Sequence, residues 1–218
     1  MQIERMDDFF TARLEGYDAH MHEMDGCLEG YSRMARLLPS SARDLLDLGC
    51  GTGLELAEIF QLFPDINVTG IDLTASMLNK LREKFPDKHI ALINASYFDV
   101  DFGQAAFDVA VSFQTMHHFP RAQKLGLYAR LRLALRPGGR YVECDYMMDD
   151  QAQEDEFFAE NQRLRAEQGI NEGEFYHFDT PMTVNNQIDV LREAGFSNVW
   201  MEWREACTTI IVAERARG

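Results

Sequence analysis

Leu45-Leu46-Asp47-Leu48-Gly49-Cys50-Gly51-Thr52-Gly53-Leu54-Glu55 is the stretch whose reading decides the fold. A short apolar run closes on an acid, passes through three glycines at alternate positions, and enters an amphipathic segment. That is the pattern of a buried strand turning tightly into a helix. Glycine permits positive φ and lets the backbone come close to a ligand. The helix that follows offers free amides at the carboxyl edge of a sheet, where nucleotide-type ligands bind. A dinucleotide fingerprint would need a third glycine at position 54, which is leucine, and no Gly-Lys-Ser/Thr follows for a P-loop.

Outward from this stretch, Val68-Thr69-Gly70-Ile71-Asp72 is a β-rich run ending in an acid placed to hold ribose hydroxyls. From Leu45 the chain alternates strand and helix, which predicts a parallel sheet with right-handed crossovers. The expected helices are 54–63, the segment opened by Thr74 and stopped at Pro86, and 123–135. The expected strands are 68–72, 89–93, 107–112 and 141–146. Arg136-Pro137-Gly138-Gly139-Arg140 reads as a sharp turn. Thr183–Ala194 follows as a helix, then 196–205 and 207–214 as an antiparallel hairpin. The fold class is therefore α/β, a doubly wound, seven-stranded, mostly parallel sheet.

Asp-x-Gly-x-Gly-x-Gly at 47–53, with Asp72 downstream, resembles motif I of the class I S-adenosylmethionine (SAM)-dependent methyltransferases. Phe107–Ser112 and the L-R-P-G-G turn resemble the same family. His117-His118 resembles a pattern in the ubiquinone/menaquinone-biosynthesis type, which acts on small molecules. The resemblance spans 43–213 and implies SAM as cofactor and S-adenosylhomocysteine (SAH) as product. It places Gly49, Cys50, Gly51 and Gly53 around the cofactor, with Asp47 supporting that loop and the amino-acid end. Asp72 holds the ribose, Leu73 and Met77 line the adenosine, and Phe113 faces the methionine end. The family's usual acid beside the adenine is absent; Ser96 stands there, with Asn94 or Tyr97 sharing the role. His117 or His118 is a candidate general base, or ties down its loop. Neither is expected to bind metal, since no Asp/Glu/His cluster at ligand spacing accompanies them along the chain.

Four regions are expected: an N-terminal helical cap at 1–42, with helices at 7–15 and 28–38; a SAM-binding core at 43–147; a helical insertion or lid at 148–180; and a closing helix and hairpin at 181–218. Tyr17, His20, His22 and Tyr31 of the cap, Asp145 and Tyr146 at a strand end, and Tyr176 and His177 of the insertion are the candidate acceptor contacts.

Composition bounds the partners. A net charge of −15 disfavours nucleic acid and anionic membrane surfaces, which are bound through clustered Lys and Arg. It suits a neutral or cationic small molecule. The four cysteines lie far apart with no C-x-x-C pair, so neither disulfides nor a zinc site is suggested. No apolar run approaches a membrane span, and a cytoplasmic protein is expected, with a homodimer possible. Two alternatives stay open: a SAM-fold enzyme of carboxymethyl or aminopropyl chemistry, and a non-catalytic binding protein.

Overall fold

A computed structural model describes residues 1–171 and 173–217. Two helices lead, α1 (Met6–Glu23) and α2 (Cys27–Leu37). Strand and helix then alternate through β1 (Asp44–Leu48), α3 (Leu54–Leu62), β2 (Asn67–Asp72), α4 (Ala75–Lys84) and β3 (Ile90–Asn94). There follow β4 (Phe107–Phe113), α5 (Arg121–Ala134), β5 (Leu135–Tyr146), α6 (Gln151–Gln168), α7 (Val184–Glu193), β6 (Asn198–Glu205) and β7 (Thr208–Glu214). The sheet order is β3-β2-β1-β4-β5-β7-β6, parallel except where β7 runs antiparallel to both β5 and β6. The fold class is the one the alternation predicted.

The chain winds outward from β1 to β3, then returns to lay β4 on the other side of β1. That reversal is the point where open α/β sheets leave a crevice at their carboxyl edge. Period-two burial divides the core between the faces. Leu46 and Leu48 of β1, Tyr141 of β5 and Ile211 of β7 pack with Tyr128 and Leu131 of α5 and Leu191 of α7. Leu45, Val111, Val142 and Val212 pack on the other face with Met34 of α2, Ile59 of α3 and Leu81 of α4.

Three expectations change. The first helix runs to Glu23, well beyond residue 15. Only Met6 and Met21 of α1 are buried, because it lies across the crevice and not against the core, so its apolar spacing is weak. The 136–140 turn is an excursion within β5: Phe107 pairs with Leu135 and Val109 with Arg140. Arg136 there bridges Asp44 at 3.0 Å and Asp108 at 2.7 Å, clamping the lower ends of β1 and β4. Finally, the tail of the 148–180 insertion folds back on the N-terminus. Met6 N donates to Phe175 O at 3.0 Å and His177 N to Glu4 O at 2.9 Å. Among the described residues no helix is long and apolar enough to cross a membrane.

Candidate active site

Two adjoining cavities occupy the carboxyl edge. The first, narrow and largely covered, is lined by Gly49, Gly51, Asp72, Leu73, Met77, Ser96, Tyr97 and Phe113, with Phe10 and Tyr17 of α1 as its cover. The second, about 1980 Å³ and more open, lies under α1 and reaches His20, Tyr146, His177 and Asp179. Tyr17, Phe10, Gln114 and His118 line both.

The glycine loop is built for close approach. Gly49 and Cys50 donate their amides to Ile71 O at 2.8 and 3.2 Å, and Gly51 donates to Asp72 Oδ2 at 2.9 Å. Thr74 N donates to the other Asp72 oxygen at 2.7 Å. Burial raises the Asp72 carboxyl somewhat, while these amides oppose the rise. Gly51 has φ +47°, and a Cβ there would project into open space, with nothing nearer than Gly49 O at 3.9 Å and Tyr17 Oη at 4.0 Å. That is a cradle which a side chain would fill.

Not every expected residue faces the cleft. The Cys50 thiol points into the sheet, where a Cβ on Gly70 would meet its sulfur at 2.9 Å. Gly53 makes room for α4 instead of a ligand, since a Cβ there would meet Leu81 and Phe85 at 3.1 Å. Asp47 lies beneath the loop, fully buried beside Glu55 of α3. Burial pushes both carboxyls up, Asp47 well above the carboxylate range and Glu55 to about 7. Each keeps one oxygen without a hydrogen-bond partner. Asp18 and Tyr17 stand above the loop, so four acids surround it. Lys80 and Lys84 answer only Asp18, at 3.5 and 2.6 Å. Ser96 lines the cleft, but its hydroxyl also accepts the Phe98 amide at 3.2 Å. Asn94 is turned to the carbonyls of Asp72 and Leu73.

Among the acceptor candidates, Tyr17, His20, Tyr146 and His177 reach the second cavity. Tyr31 does not, being buried and stacked on Phe113 at 4.0 Å. Tyr176 pairs with Arg5 and faces a separate hollow near Met1 and Gln168. His22 lies outside both cavities. Asp145 is buried and committed: its oxygens accept Met116 N at 2.7 Å, His117 N at 3.1 Å, Tyr146 N at 2.7 Å and His117 Nδ1 at 2.5 Å. Burial opposes charge on His117, yet the carboxylates of Asp145 and Asp179 push its imidazole up to about 10. Burial and the neighbouring His117 hold His118 down, below the usual imidazole range.

Sequence reading missed Asp179, Phe10, Gln114 and Thr115. Asp179 reaches the histidine pair because Thr180 donates both its amide, at 2.7 Å, and its hydroxyl, at 3.0 Å, to His117 O. No local pattern marks a contact across that separation. Thr115 had a signal of its own: it meets Tyr97 Oη at 3.0 Å, and a Cβ on Gly49 would strike its hydroxyl at 2.6 Å.

Residues 45–139 match the family described as a methyltransferase domain. The chain is 28% identical over 166 residues to the O-methyltransferase cnsE of Penicillium expansum, covering 74% of this chain and 54% of that protein. It is 30% identical over 121 residues to 27-O-demethylrifamycin SV methyltransferase of Amycolatopsis mediterranei, covering 53% of this chain and 43% of that one. The chain thus spans about half the length of these curated relatives. Among solved structures, human N-acetylserotonin methyltransferase in complex with SAM superposes with a TM-score of 0.65 at 17% identity, over 88% of this chain and 52% of that one. The matched segment holds the first cavity's glycine collar and Asp72. Outside the matched segment, the second cavity is lined by α1 and by Tyr146, His177 and Asp179.

Proposed function

We propose that this chain is a SAM-dependent methyltransferase that transfers a methyl group in line to a small-molecule acceptor. The observation that carries the reading is the empty space in front of Gly51, flanked by Asp72 and opening past His118 into the second cavity. Asp72 keeps free lone pairs for ribose hydroxyls beyond the two amides it accepts. Leu73 and Met77 supply apolar walls for a base, with Ser96 and Tyr97 beside them. The Asp72 carboxylate beside the loop favours a ligand carrying positive charge and disfavours a phosphate at the start of α3.

When bound, SAM supplies an electrophilic methyl on a sulfonium. The chain's part is to hold the acceptor in line with that methyl, at about 3 Å, and to exclude water. Phe10 and Tyr17 cover the cleft from α1, and Phe175 closes it from the insertion. His117 is held between the carboxylates of Asp145 and Asp179 and ties the loop in place. His118 borders both cavities, so of the two histidines it is the one placed beside both cofactor and acceptor.

Arg13 is the one Lys or Arg among the described lining residues of either cavity, and it is engaged by Glu4 at 3.0 Å. That leaves little to receive a carboxylated cofactor, and supports plain methyl transfer. The test is thermal shift with SAM, SAH and NAD on wild type and Asp72→Ala. The first two should stabilise wild type by mass action, NAD should not, and Asp72→Ala should lose most of the effect. Labelled SAM with pooled metabolites then identifies the acceptor by mass; no shift with SAM or SAH would overturn the reading.

A further inference from the structure

We propose that His117, His118 and Asp179, with His177 beside them, form a binding site for a divalent transition metal at the wall of the second cavity. Three imidazoles converge on a single carboxylate oxygen. Asp179 Oδ1 lies 3.5 Å from His117 Nε2, 3.2 Å from His118 Nδ1 and 3.9 Å from His177 Nε2. The donor atoms of His117, His118 and Asp179 all fall within 4.8 Å of one another. Metal–ligand bonds of about 2.0–2.2 Å in a tetrahedral site set donor atoms about 3.3–3.6 Å apart. The observed spacing needs only small adjustments to take an ion.

Two independent features point to a ligand. His118 Nδ1 and Asp179 Oδ1 are buried atoms that face each other at 3.2 Å without an aligned hydrogen bond, and only 3% of the His118 side chain is exposed. Leaving such groups unpaired is costly, and a shared cation satisfies both at once. Asp145 supplies the second feature, because its Oδ1 takes His117 Nδ1 at 2.5 Å and leaves Nε2 facing Asp179. A carboxylate behind a histidine, fixing which nitrogen faces forward, is the usual support of a metal-bound imidazole. The ring of His177 is fixed too, stacked on Phe9 at 3.4 Å.

Imidazole nitrogens with one carboxylate select ions such as Zn²⁺, Co²⁺, Fe²⁺ or Mn²⁺ over Ca²⁺ or Mg²⁺. All four side chains line the second cavity, so a further coordination position would open on it and take an acceptor's hydroxyl or carboxylate oxygen. The metal site stands on geometry alone; that use of it rests on the methyl-transfer reading.

The test is Co²⁺ titration of chelator-stripped protein without SAM, followed by visible ligand-field absorption. One Co²⁺ per chain is expected, displaced by Zn²⁺, with the spectrum lost in His118→Ala and in Asp179→Asn. His22→Ala, outside both cavities, should bind as wild type. Asp145→Asn removes the support and no ligand, and should weaken binding by about 10- to 100-fold. Far-UV circular dichroism and urea midpoints establish that each variant folds, and the Asp145 variant decides the matter if either ligand variant does not. No ligand-field band in wild type, or a spectrum indifferent to Asp179→Asn and Asp145→Asn, overturns the site. SAH thermal shift on the stripped protein reads the cofactor cleft separately, so one proposal can fail while the other survives.

Discussion

Asp72 Oδ2 accepts the amide of Gly51 at 2.9 Å, joining the tip of β2 to the middle of the glycine loop on β1. The same carboxylate therefore shapes the loop and faces the cleft the loop encloses. Loop geometry and ligand contact can nevertheless be separated at the glycines. Gly51→Ala places a methyl in open space and adds left-handed strain of about 1–2 kcal/mol, worth about 2–4 °C in melting temperature per kcal/mol in a chain of this size. Gly49→Ala drives a methyl into Thr115 at 2.6 Å. We expect Gly51→Ala to melt within a few degrees of wild type yet lose its response to SAH by calorimetry. Gly49→Ala should lose far more stability. Equal melting losses in the two variants would contradict this account of the cradle.

Asp18 is the side chain that ties the cover both to the glycine loop and to α4. Asp18 of α1 takes the Thr52 hydroxyl at 2.5 Å and Lys84 Nζ at 2.6 Å; partial burial opposes its charge, yet these partners hold its carboxyl below the usual range. Asp18→Ala frees α1 from the glycine loop and removes its ion pairs to α4, leaving the weaker contacts of Leu14 O with Lys80 and of Thr11 with Ser76. The pair is partly exposed, so the stability cost should stay near 1 kcal/mol or below. Release of a fluorescent SAH analogue should instead speed up several-fold, and limited proteolysis within α1 should quicken. An unchanged release rate would mean that α1 is not the gate.

The reach of sequence reading has a physical boundary here. Strands on β1, β2 and β4 were legible because both faces of a central sheet are apolar, and the glycine loop because positive φ leaves few other residues. Cys50 and Gly53 sit in that same motif, but which way each points depends on what packs behind it, Gly70 for one and Leu81 for the other. Tyr31 has the composition of a substrate contact, yet stacks on Phe113 inside the core. The histidine pair was visible and its partner was not. Asp179 joins through a backbone contact from Thr180 to His117, made only after the insertion has folded back.

One core charge has no function in the cleft. Lys124 of α5 is 2% exposed and donates to Gln187 Oε1 at 3.0 Å. No carboxylate lies within ion-pair distance of it among the described residues. Burial accordingly lowers its pKa. Its stem fills space between α5 and α7 while its head serves one neutral bond. Lys124→Met should keep the packing and forfeit that bond, changing stability by about 1 kcal/mol or less. Lys124→Ala opens a cavity and should cost about 2–5 kcal/mol. Urea midpoints distinguish them; equal losses would show that the charge, and not the stem, matters.

The buried acid under the glycine loop should make stability fall toward neutral pH. Burial is the main cause of the rise of Glu55 to about 7. Asp47 of β1 stands beside it, Asp72 of β2 raises it further, Lys84 of α4 opposes, and Tyr17 and Tyr31 feel its charge from α1 and α2. The folded chain keeps a proton that the unfolded chain releases near the ordinary carboxyl value. By linkage, the stabilisation is complete below about pH 4.3 and lost as pH rises through about 7. Urea midpoints should therefore drop between pH 5 and 7.5, by an amount equivalent to about 1–3 kcal/mol. Glu55→Gln carries the neutral form at every pH and should flatten much of that slope, making the variant relatively more stable at pH 7.5 than at pH 5. Parallel profiles for wild type and Glu55→Gln would place the proton elsewhere.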